Sequence, residues 1–214
     1  MPTKSRTIES YAASVAAPTA TPGGGSVAAI AAALAAGLSE MVCGLTLAGA
    51  PSDPAYATLI AARNVAAKSR TALLDLAQAD ETAYGNYRRA SAMPKTTPAQ
   101  KAERTVAMQA ALTIAADVPL QCATTILAFL GSLDGVAEFG TRHALSDIAT
   151  ACMISESALK SALLNVRVNA KLLKDVDAAS ALLLEADRLE FDAQLAAAKA
   201  SATIASRSAP PIGT

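Results

Sequence analysis

The chain carries no sustained alternation of apolar and polar residues, and its apolar positions recur instead at helical spacing. From Ser26 onward, large apolar side chains follow at steps of three or four residues: Ile30, Leu34, Leu38, Met41 and Leu45. The positions between them are mostly Ala and Gly, which let neighbouring helices approach closely. This pattern predicts a core helix with the large side chains on one stripe, in an all-α protein.

Proline and capping signals divide the next part of the chain into long helices. Asp53-Pro54 is typical of a helix start, and Pro94 ends the helix that follows. Thr97 and Gln100 have capping-box spacing around a proline and begin the next helix. Pro119 lies inside that helix, where it removes a backbone donor and clashes one turn back. We therefore expect a kink or break near Pro119, with irregular backbone that is available to face a site.

The second half of the chain continues this organisation. Gly131–Gly140 is predicted to be a connector, Ser146-Asp147 to open a helix through about Leu173, and a final helix to run from about Asp175 to Ile204. Long helices joined by short turns predict an antiparallel bundle of long helices. We expect one helical domain over residues 1–214, with a core of about 8–206 and a frayed C-terminal tail. Apolar helix faces favour a helical homodimer.

Charge and composition exclude some classes of partner. The chain has 18 Lys and Arg against 18 Asp and Glu, and only 3% of its residues are aromatic. It has neither a basic face for a phosphate backbone nor stacking platforms for bases, so nucleic acid is not an expected partner. The apolar stretch Val27–Leu38 is too short and too rich in alanine for a membrane span. Residues 1–10 lack the features of a secretory signal. We expect a cytoplasmic protein without a membrane partner.

The cysteines and the single histidine offer little to a metal ion. Cys43, Cys122 and Cys152 lie far apart among apolar neighbours, which is typical of reduced thiols in a protein core. His143 is the only histidine, and no pair of residues has the spacing of a zinc or iron site. We expect no metal and no cofactor held by the protein.

The segment Thr21-Pro22-Gly23-Gly24-Gly25-Ser26 runs directly into the alanine-rich helix. Glycines permit a positive φ and close backbone approach, and Ser26 is a good N-cap for the first turn. Free backbone N–H groups at a helix start bind an anion or a carbonyl group. The alternative is a plain loop and cap, because short glycine-rich motifs occur in many contexts.

Several short motifs occur in a fixed order along the chain. They are Pro18 to Ser26, Met41 to Thr46, Asp80 to Tyr84, Met93 to Thr97, Asp117 to Leu120, Ser146-Asp147, and Asn165 to Asn169. In this order they resemble the formiminotransferase-cyclodeaminase/methenyltetrahydrofolate cyclohydrolase family, over about Ile8 to Phe191. The resemblance implies a helical homodimer that takes a tetrahydrofolate derivative as substrate.

The resemblance leaves two enzyme activities open. Family members hydrolyse 5,10-methenyltetrahydrofolate to 10-formyltetrahydrofolate, or close 5-formiminotetrahydrofolate with loss of ammonia. The deaminase often occurs fused to a formiminotransferase domain, which this chain lacks, so the resemblance favours the cyclohydrolase. A third alternative is a folate-binding or scaffold protein without turnover.

Hydrolysis needs a base near the attacking water and a proton source near N5, and carboxylates suit both tasks. The resemblance makes Asp147, at a predicted helix start, the first choice as base; the alternative is an acid that only complements the helix dipole. Asp80 is matched to the acidic position of a family segment, and we expect it to bind the pterin edge or relay a proton; the alternative is a solvated charge. Lys95 is matched to a Pro-Lys motif, and we expect a cation there to hold a folate carboxylate or donate a proton. The alternative for Lys95 is a surface charge without a role.

The substrate-binding candidates come from the same motifs, except Glu40, which is chosen because it is the only charged residue between Glu9 and Asp53. They are Gly23, Gly24, Gly25, Ser26, Glu40, Tyr84, Asn165 and Asn169. Asn165 and Asn169 lie one turn apart on one face, as amides that bind a pterin ring would, or as amides that bond two helices together. Glu40 is an isolated acid in an apolar helix, which either has a raised pKa or faces solvent at a dimer rim.

Two departures from the family pattern matter. After Thr46 the family often has a glycine followed by lysines and a tyrosine, whereas Leu47 to Asp53 contains no basic residue. A basic element that would help hold the folate tail is therefore missing. Before Ser146, the usual Gly-Asn is Gly140-Thr141, which removes a side-chain amide near the proposed base.

Overall fold

A computed structural model describes residues 2–50 and 52–208, and all regular elements in these two ranges are helical. The seven α-helices are α1 Ile8–Ala16, α2 Gly24–Leu47, α3 Asp53–Ser91, α4 Pro98–Leu130, α5 Leu133–Phe139, α6 Leu145–Ala170 and α7 Val176–Ser208. Short 3₁₀ turns occupy Thr3–Ser5 and Arg142–Ala144. The predicted all-α class is confirmed.

Four long helices form the centre of the bundle. α2 packs against α3 and α6, α4 packs against the same two helices, and α7 covers the outer side of α6. α2 and α6 are antiparallel. The start of α2 lies beside Asn165 in the last third of α6, and the last turn of α2 lies beside Thr141, which comes shortly before α6 and whose N–H donates to Thr46 Oγ1 at 2.9 Å. The antiparallel bundle is confirmed. The single domain stays a prediction, and the expected frayed tail falls mainly on residues 209–214, outside the described residues.

Local signals located most helix ends correctly. Thr97 and Gln100 form both hydrogen bonds of a capping box at the start of α4, and α3 begins at Asp53 as predicted. Two helices were missing from the sequence prediction. α1 is capped by Thr7, whose side chain accepts from the N–H of Ser10. α5 lies in the expected connector and has seven residues, too few to show a period; burial of Leu133, Val136 and Ala137 holds it in place.

Three of the five large side chains predicted to form the core stripe of α2 point away from the core, contrary to prediction. Leu34, Met41 and Leu45 are 63%, 43% and 57% exposed, whereas Ile30 and Leu38 are half-buried and pack against the core. The fully buried face carries mainly small side chains, at Ala28, Ala29, Ala32, Ala33, Ala35, Ala36, Ser39, Val42 and Cys43. Neighbouring helices lie so close to this face of α2 that mainly small residues fit between the backbones. Leu34, Met41 and Leu45 are thus left on the outside of the protomer.

The predicted break at Pro119 does not occur. α4 continues from Pro98 to Leu130, and Pro119 is buried inside it. A proline leaves the carbonyl group four residues earlier without its helical partner. That carbonyl, at Ala115, accepts a hydrogen bond from the side-chain amide of Asn169 at 2.7 Å, so the helix continues without an unsatisfied buried group.

Two segments are long and apolar enough to pass a test for membrane spans. They are Gly24–Leu47, with a mean hydropathy of 1.8, and Pro98–Phe139, with 1.5. Half of the first window and 44% of the second are buried inside the protein, and core helices of soluble proteins pass the same test. The three cysteines are buried, as expected for core residues.

The alanine contacts predict a strong position dependence of stability. Ala66 on α3 is fully buried, whereas Ala61 on the same helix is exposed. Ala66→Leu should lower the free energy of unfolding by about 1–3 kcal/mol, because the added atoms have no space. Ala61→Leu should change it by less than about 0.5 kcal/mol. Urea unfolding of both variants measures the difference, and equal losses would contradict the packing described here.

Candidate active site

A pocket of about 270 Å³ lies at the end of the bundle where α2 begins, α6 ends and the last third of α3 passes. It is lined by Ala20, Thr21, Gly23, Gly24, Gly25, Asp80, Ala83, Tyr84, Tyr87, Ala115, Asn165, Val168, Asn169 and Leu172. The chain thus brings together Asp80, the three glycines, Tyr84 and both asparagines, which the sequence analysis had chosen from separate motifs. Because the pocket is walled by four parts of the chain, its shape depends on the whole bundle.

Asp80 lies directly against the first turn of α2. The N–H of Ser26 donates to Asp80 Oδ2 at 2.9 Å. A Cβ atom at Gly25 would overlap Asp80 Oδ1 and lie 2.7 Å from its Cγ, so only glycine allows this approach. No glycine in the described ranges has a positive φ, so Gly25 is needed for space and not for left-handed backbone. Ser26 is not the N-cap that was predicted: Gly23 takes that position, and Asp80 satisfies the N–H of Ser26 from another helix.

The carboxyl group of Asp80 is the only acid that lines the pocket among the described residues. Burial raises the pKa of Asp80 above its usual value, and the neighbouring charge of Glu81 raises it further. The hydrogen bond from the N–H of Ser26 acts in the opposite direction and lowers the pKa of Asp80. A carboxylate with a raised pKa is a stronger base than a solvated aspartate, which suits it to proton transfer.

A polar network behind the pocket holds Ser26 in place. The hydroxyl groups of Ser26 and Tyr11 are 2.9 Å apart, and Ser26 Oγ also lies 3.4 Å from Glu81 Oε1. Arg6 forms a largely buried ion pair with Glu81 at 2.9 Å. Sequence reasoning missed Tyr11, whose position in α1 carries no motif. Glu81 was also missed, although it follows Asp80 in the segment Asp80 to Tyr84 and could have been identified from the sequence.

Backbone carbonyl groups orient the amides of the two asparagines that line the pocket. Asn165 Nδ2 donates to the carbonyl oxygen of Ser161 at 3.0 Å, and Asn169 Nδ2 donates to that of Ala115 at 2.7 Å. Since only the NH2 end of an asparagine amide can donate to a carbonyl oxygen, the amide orientation is fixed in both cases, and Oδ1 stays an acceptor. The alternative of helix-to-helix bonding also holds for Asn169, which joins α6 to α4.

Aromatic rings form another wall of the pocket. The rings of Tyr84 and Tyr87 have centroids 6.4 Å apart and are tilted by 51°. Both phenols line the pocket beside Asp80. Tyr87 was not among the sequence candidates, although its spacing of three residues from Tyr84 places it on the same side of α3. A flat heterocycle would find apolar ring surface here and polar acceptors on the asparagine side.

A second groove continues from this pocket along α3. It shares Ala20, Thr21 and Tyr84 with the pocket and also contains Arg88. Asp80, Tyr84 and Arg88 follow at intervals of four residues, so Arg88 lies about 12 Å along the helix from Asp80. Arg88 is exposed and has no ion-pair partner among the described residues. A carboxylate leaving the pocket along this groove would meet its guanidinium group.

Four predicted residues do not line the pocket within one protomer: Ser26 is buried and bonds Asp80 through its N–H, and the other three lie farther away. Asp147 is in the first turn of α6, about 27 Å along that helix from Asn165. Glu40 is near the opposite end of α2 from Gly24 and accepts a hydrogen bond from Arg70 Nε at 3.0 Å. Lys95 is exposed in the loop between α3 and α4, at the pocket end of the bundle but not in its lining. The sequence of a short motif does not show whether the motif lies at the end of a long helix that forms the site or at the opposite end.

The described residues contain no group of three or more His, Cys, Asp or Glu side chains that would hold a metal ion. The pocket itself offers one carboxylate, two amide oxygens, two phenols and backbone N–H groups. Groups of these types suit a neutral or cationic organic ligand with several N–H donors.

The fold is an all-α bundle with a pocket at one end, and comparisons with known proteins identify the family. A family profile described as formiminotransferase-cyclodeaminase matches residues 7–188. The chain belongs to this family.

Relatives of the chain carry two kinds of name. It is 35% identical over 187 residues to a methenyltetrahydrofolate cyclohydrolase from Methylorubrum extorquens. The aligned region covers 87% of this chain and 90% of that protein. It is also 35% identical over 171 residues to rat formimidoyltransferase-cyclodeaminase, covering 78% of this chain but only 31% of the rat protein. A crystal structure of formiminotetrahydrofolate cyclodeaminase from Thermotoga maritima has the same fold, with a TM-score of 0.85, 23% identity, and coverage of 95% and 98% of the two chains.

The contact between Gly25 and Asp80 yields a direct test of the site. Gly25→Ala should lower kcat/KM with a folate substrate at least tenfold, because the methyl group pushes Asp80 off the N–H of Ser26. Gly44→Ala on the same helix is the control, since no atom lies within 4 Å of its added Cβ and alanine favours the helix. Steady-state kinetics and thermal melting of both variants are the measurements. Equal activity in the two variants would show that the Asp80 contact is dispensable.

Proposed function

We propose that the protein hydrolyses 5,10-methenyltetrahydrofolate to 10-formyltetrahydrofolate. One observation carries this proposal: a buried carboxylate with a raised pKa, Asp80, lies in a pocket with aromatic and amide walls. The relative from Methylorubrum extorquens supports it, because that protein matches this chain along nearly the full length of both. The tetrahydrofolate derivative is substrate, and we propose no cofactor or metal held by the protein.

The pocket suits the parts of such a substrate. The tyrosine rings accept the flat pterin, and the asparagine oxygens accept hydrogen bonds from its N–H groups. The aminobenzoyl group would extend along α3 toward Arg88, where the guanidinium binds a glutamate carboxylate. Arg88 would then supply a cation for the tail, for which the segment after Thr46 has none. Lys95, at the same end of the bundle, stays a candidate for a further tail carboxylate.

We propose Asp80 as the group that moves the proton. Its negative charge attracts the cationic methenyl group, and it takes a proton from the water that attacks the amidinium carbon. The neutral adduct then collapses to a formyl group on N10 as its C–N5 bond breaks. Protonated Asp80 gives its proton to N5, and the hydroxyl proton of the adduct leaves to solvent. Asp147 was the first choice as base, and its distance from the pocket in one protomer is why Asp80 replaces it.

Loss of the near-ultraviolet absorbance of 5,10-methenyltetrahydrofolate tests this function, with buffer-catalysed hydrolysis subtracted. Asp80→Asn should reduce kcat/KM by about 10²–10⁴-fold, the range that proton transfer by a side chain contributes. In the wild type, kcat/KM should fall as the pH drops, because protonation removes the base. The midpoint should lie above about 3.9, the ordinary value for aspartate, since burial raises the pKa of Asp80.

Asp147→Asn is the control that separates the two carboxylates. Loss of activity in Asp147→Asn but not in Asp80→Asn would return the base to Asp147. Absence of wild-type turnover would direct the assay to 5-formiminotetrahydrofolate, with ammonia release as the signal of the deaminase. Folate binding without turnover of either compound would mark the binding or scaffold alternative.

We also propose that two copies pair through the outer faces of α2 and α6. Leu34 on α2 and Leu164 on α6 are 63% and 62% exposed, and Met153 is exposed beside them. An apolar groove runs between the two helices and shares Gly24 and Asn165 with the pocket. The charge of Glu40 on this side of α2 is compensated by Arg70, so burying the face leaves no unpaired acid there. A second copy would therefore close one side of the pocket.

Another apolar stripe on α7 is less suited to this role. It contains Phe191 and Leu195, but Arg188 lies among them and bonds both Glu185 and Asp192. A partner on this stripe would bury the charged cluster and remove its water, which costs free energy. The exposed apolar residues of α2 and α6 do not have this desolvation cost.

Leu34→Glu combined with Leu164→Glu should convert a dimer of 21.5 kDa chains into monomers. The reason is that two charges per copy would face an apolar surface without a partner. Sedimentation equilibrium measures the mass, and Val106→Glu, at an exposed position on α4, is the control that should stay dimeric. A wild-type protein of 21.5 kDa in solution would refute the pairing.

Charge, composition and burial also bear on where the protein works and on its other partners. We infer a soluble, cytoplasmic enzyme without nucleic-acid or membrane partners. A formal net charge of zero, few aromatic residues, and the burial of half of α2 within the bundle support this inference.

A further inference from the structure

The position of Pro119 explains a hydrogen bond in the wall of the pocket. In a regular α-helix the carbonyl oxygen of residue 115 would accept from the N–H of residue 119, but proline has no N–H. Ala115 lines the pocket, and its carbonyl oxygen accepts from Asn169 Nδ2 at 2.7 Å instead. The proline therefore creates the acceptor that binds the side chain of Asn169.

This hydrogen bond determines what Asn169 offers to a ligand. Its amide donates to Ala115, so its Oδ1 is left as an acceptor, and rotating the amide would set two oxygen atoms against each other. Asn165 is oriented in the same sense by the carbonyl of Ser161. Asn165, Asn169 and Asp80 therefore each bring a hydrogen-bond acceptor to the lining of the pocket.

We propose that Pro119 is a positioning residue that makes this wall accept hydrogen bonds, and that the wall selects ligands with adjacent N–H donors. The 2-amino group and ring N–H of a pterin have this arrangement, so the inference rests on the proposed folate substrate. A ligand that offered acceptors at the same edge would leave Asn165 and Asn169 unpaired and would be rejected.

Pro119→Ala tests the inference by returning an N–H to the helix. The new N–H would bond the carbonyl of Ala115 and free the amide of Asn169 to rotate. We expect KM for 5,10-methenyltetrahydrofolate to rise about fivefold, the effect of one lost neutral hydrogen bond, with kcat within about twofold. The melting temperature should not fall, because alanine favours a helix interior over proline. Pro98→Ala, in the first turn of the same helix, is the matched control and should leave KM unchanged.

A double-mutant cycle tests whether the effect passes through Asn169. Asn169→Ala should raise KM at least as much, and adding Pro119→Ala in that background should raise it no further. A substrate analogue with methyl in place of the 2-amino group should bind more weakly to the wild type and be less sensitive to Pro119→Ala. An unchanged KM in Pro119→Ala, or an equal increase with and without Asn169, would overturn the inference.

The test is kept separate from the proposed reaction by measuring binding as well as turnover. Equilibrium binding of 5-formyltetrahydrofolate, followed by calorimetry, gives Kd for the same variants. If the wild type binds this folate but hydrolyses nothing, the proposed reaction fails, and a fivefold weaker Kd in Pro119→Ala still supports the role of Pro119. If the wild type turns over its substrate and both KM and Kd are unaffected by Pro119→Ala, only the role of Pro119 fails. Absence of folate binding by the wild type would overturn both.

Discussion

The close approach of helices through alanine and glycine is the constraint on which the rest of the structure depends. α2 meets its neighbours through small side chains such as Ala32 and Ala36, which are fully buried. The same closeness at its first turn brings Asp80 of α3 onto the N–H of Ser26, past a glycine that has no room for a methyl group. The close packing of α2 and α3 therefore also builds the site, because a wider spacing of these helices would separate the carboxylate of Asp80 from the start of α2.

The electrostatics of the pocket follow from that contact. The first turn of α2 has a partial positive charge, which stabilises an ionised carboxylate, whereas burial opposes ionisation. Burial dominates, so the pKa of Asp80 is raised while its position stays fixed by Ser26. The outcome is a base held in one place beside tyrosine rings and amide oxygens. A cationic ligand would be attracted without the need for a second charge in the wall.

Sequence predicted well where the determining interaction is local. The capping box at Thr97 and the start at Asp53 depend on residues a few positions apart, and both helix starts were located correctly. The stripe at Leu34 and Met41 failed because apolar character does not say whether a helix packs by large or by small side chains. In this bundle, distance between backbones decides the buried face, and that distance is a property of several helices together.

The candidate site shows the same division. Motifs matched by resemblance included Asp80, Tyr84, Asn165 and Asn169, and these side chains do share one pocket. Asp147, from a motif of the same kind, and Glu40, chosen as an isolated acid, lie toward the other ends of α6 and α2. A long helix separates its two ends by more than the width of a pocket. Tyr11 had no functional signal, because it acts through Ser26 on another helix. Pro119 was expected to reach a site through irregular backbone, whereas it acts from inside a continuous helix, through the carbonyl of Ala115 and the distant Asn169.

The hydrogen bonds of the pocket join parts of the chain that are made at different times. Asp80 and Ser26 are 54 residues apart, and so are Asn169 and Ala115. A chain growing from its N-terminus can form the α2–α3 contact early, but the asparagine wall appears only after α6 has been synthesised and folded back. Incomplete chains therefore have the carboxylate without the wall. The ability to hold a ligand arises late, as a property of the finished bundle.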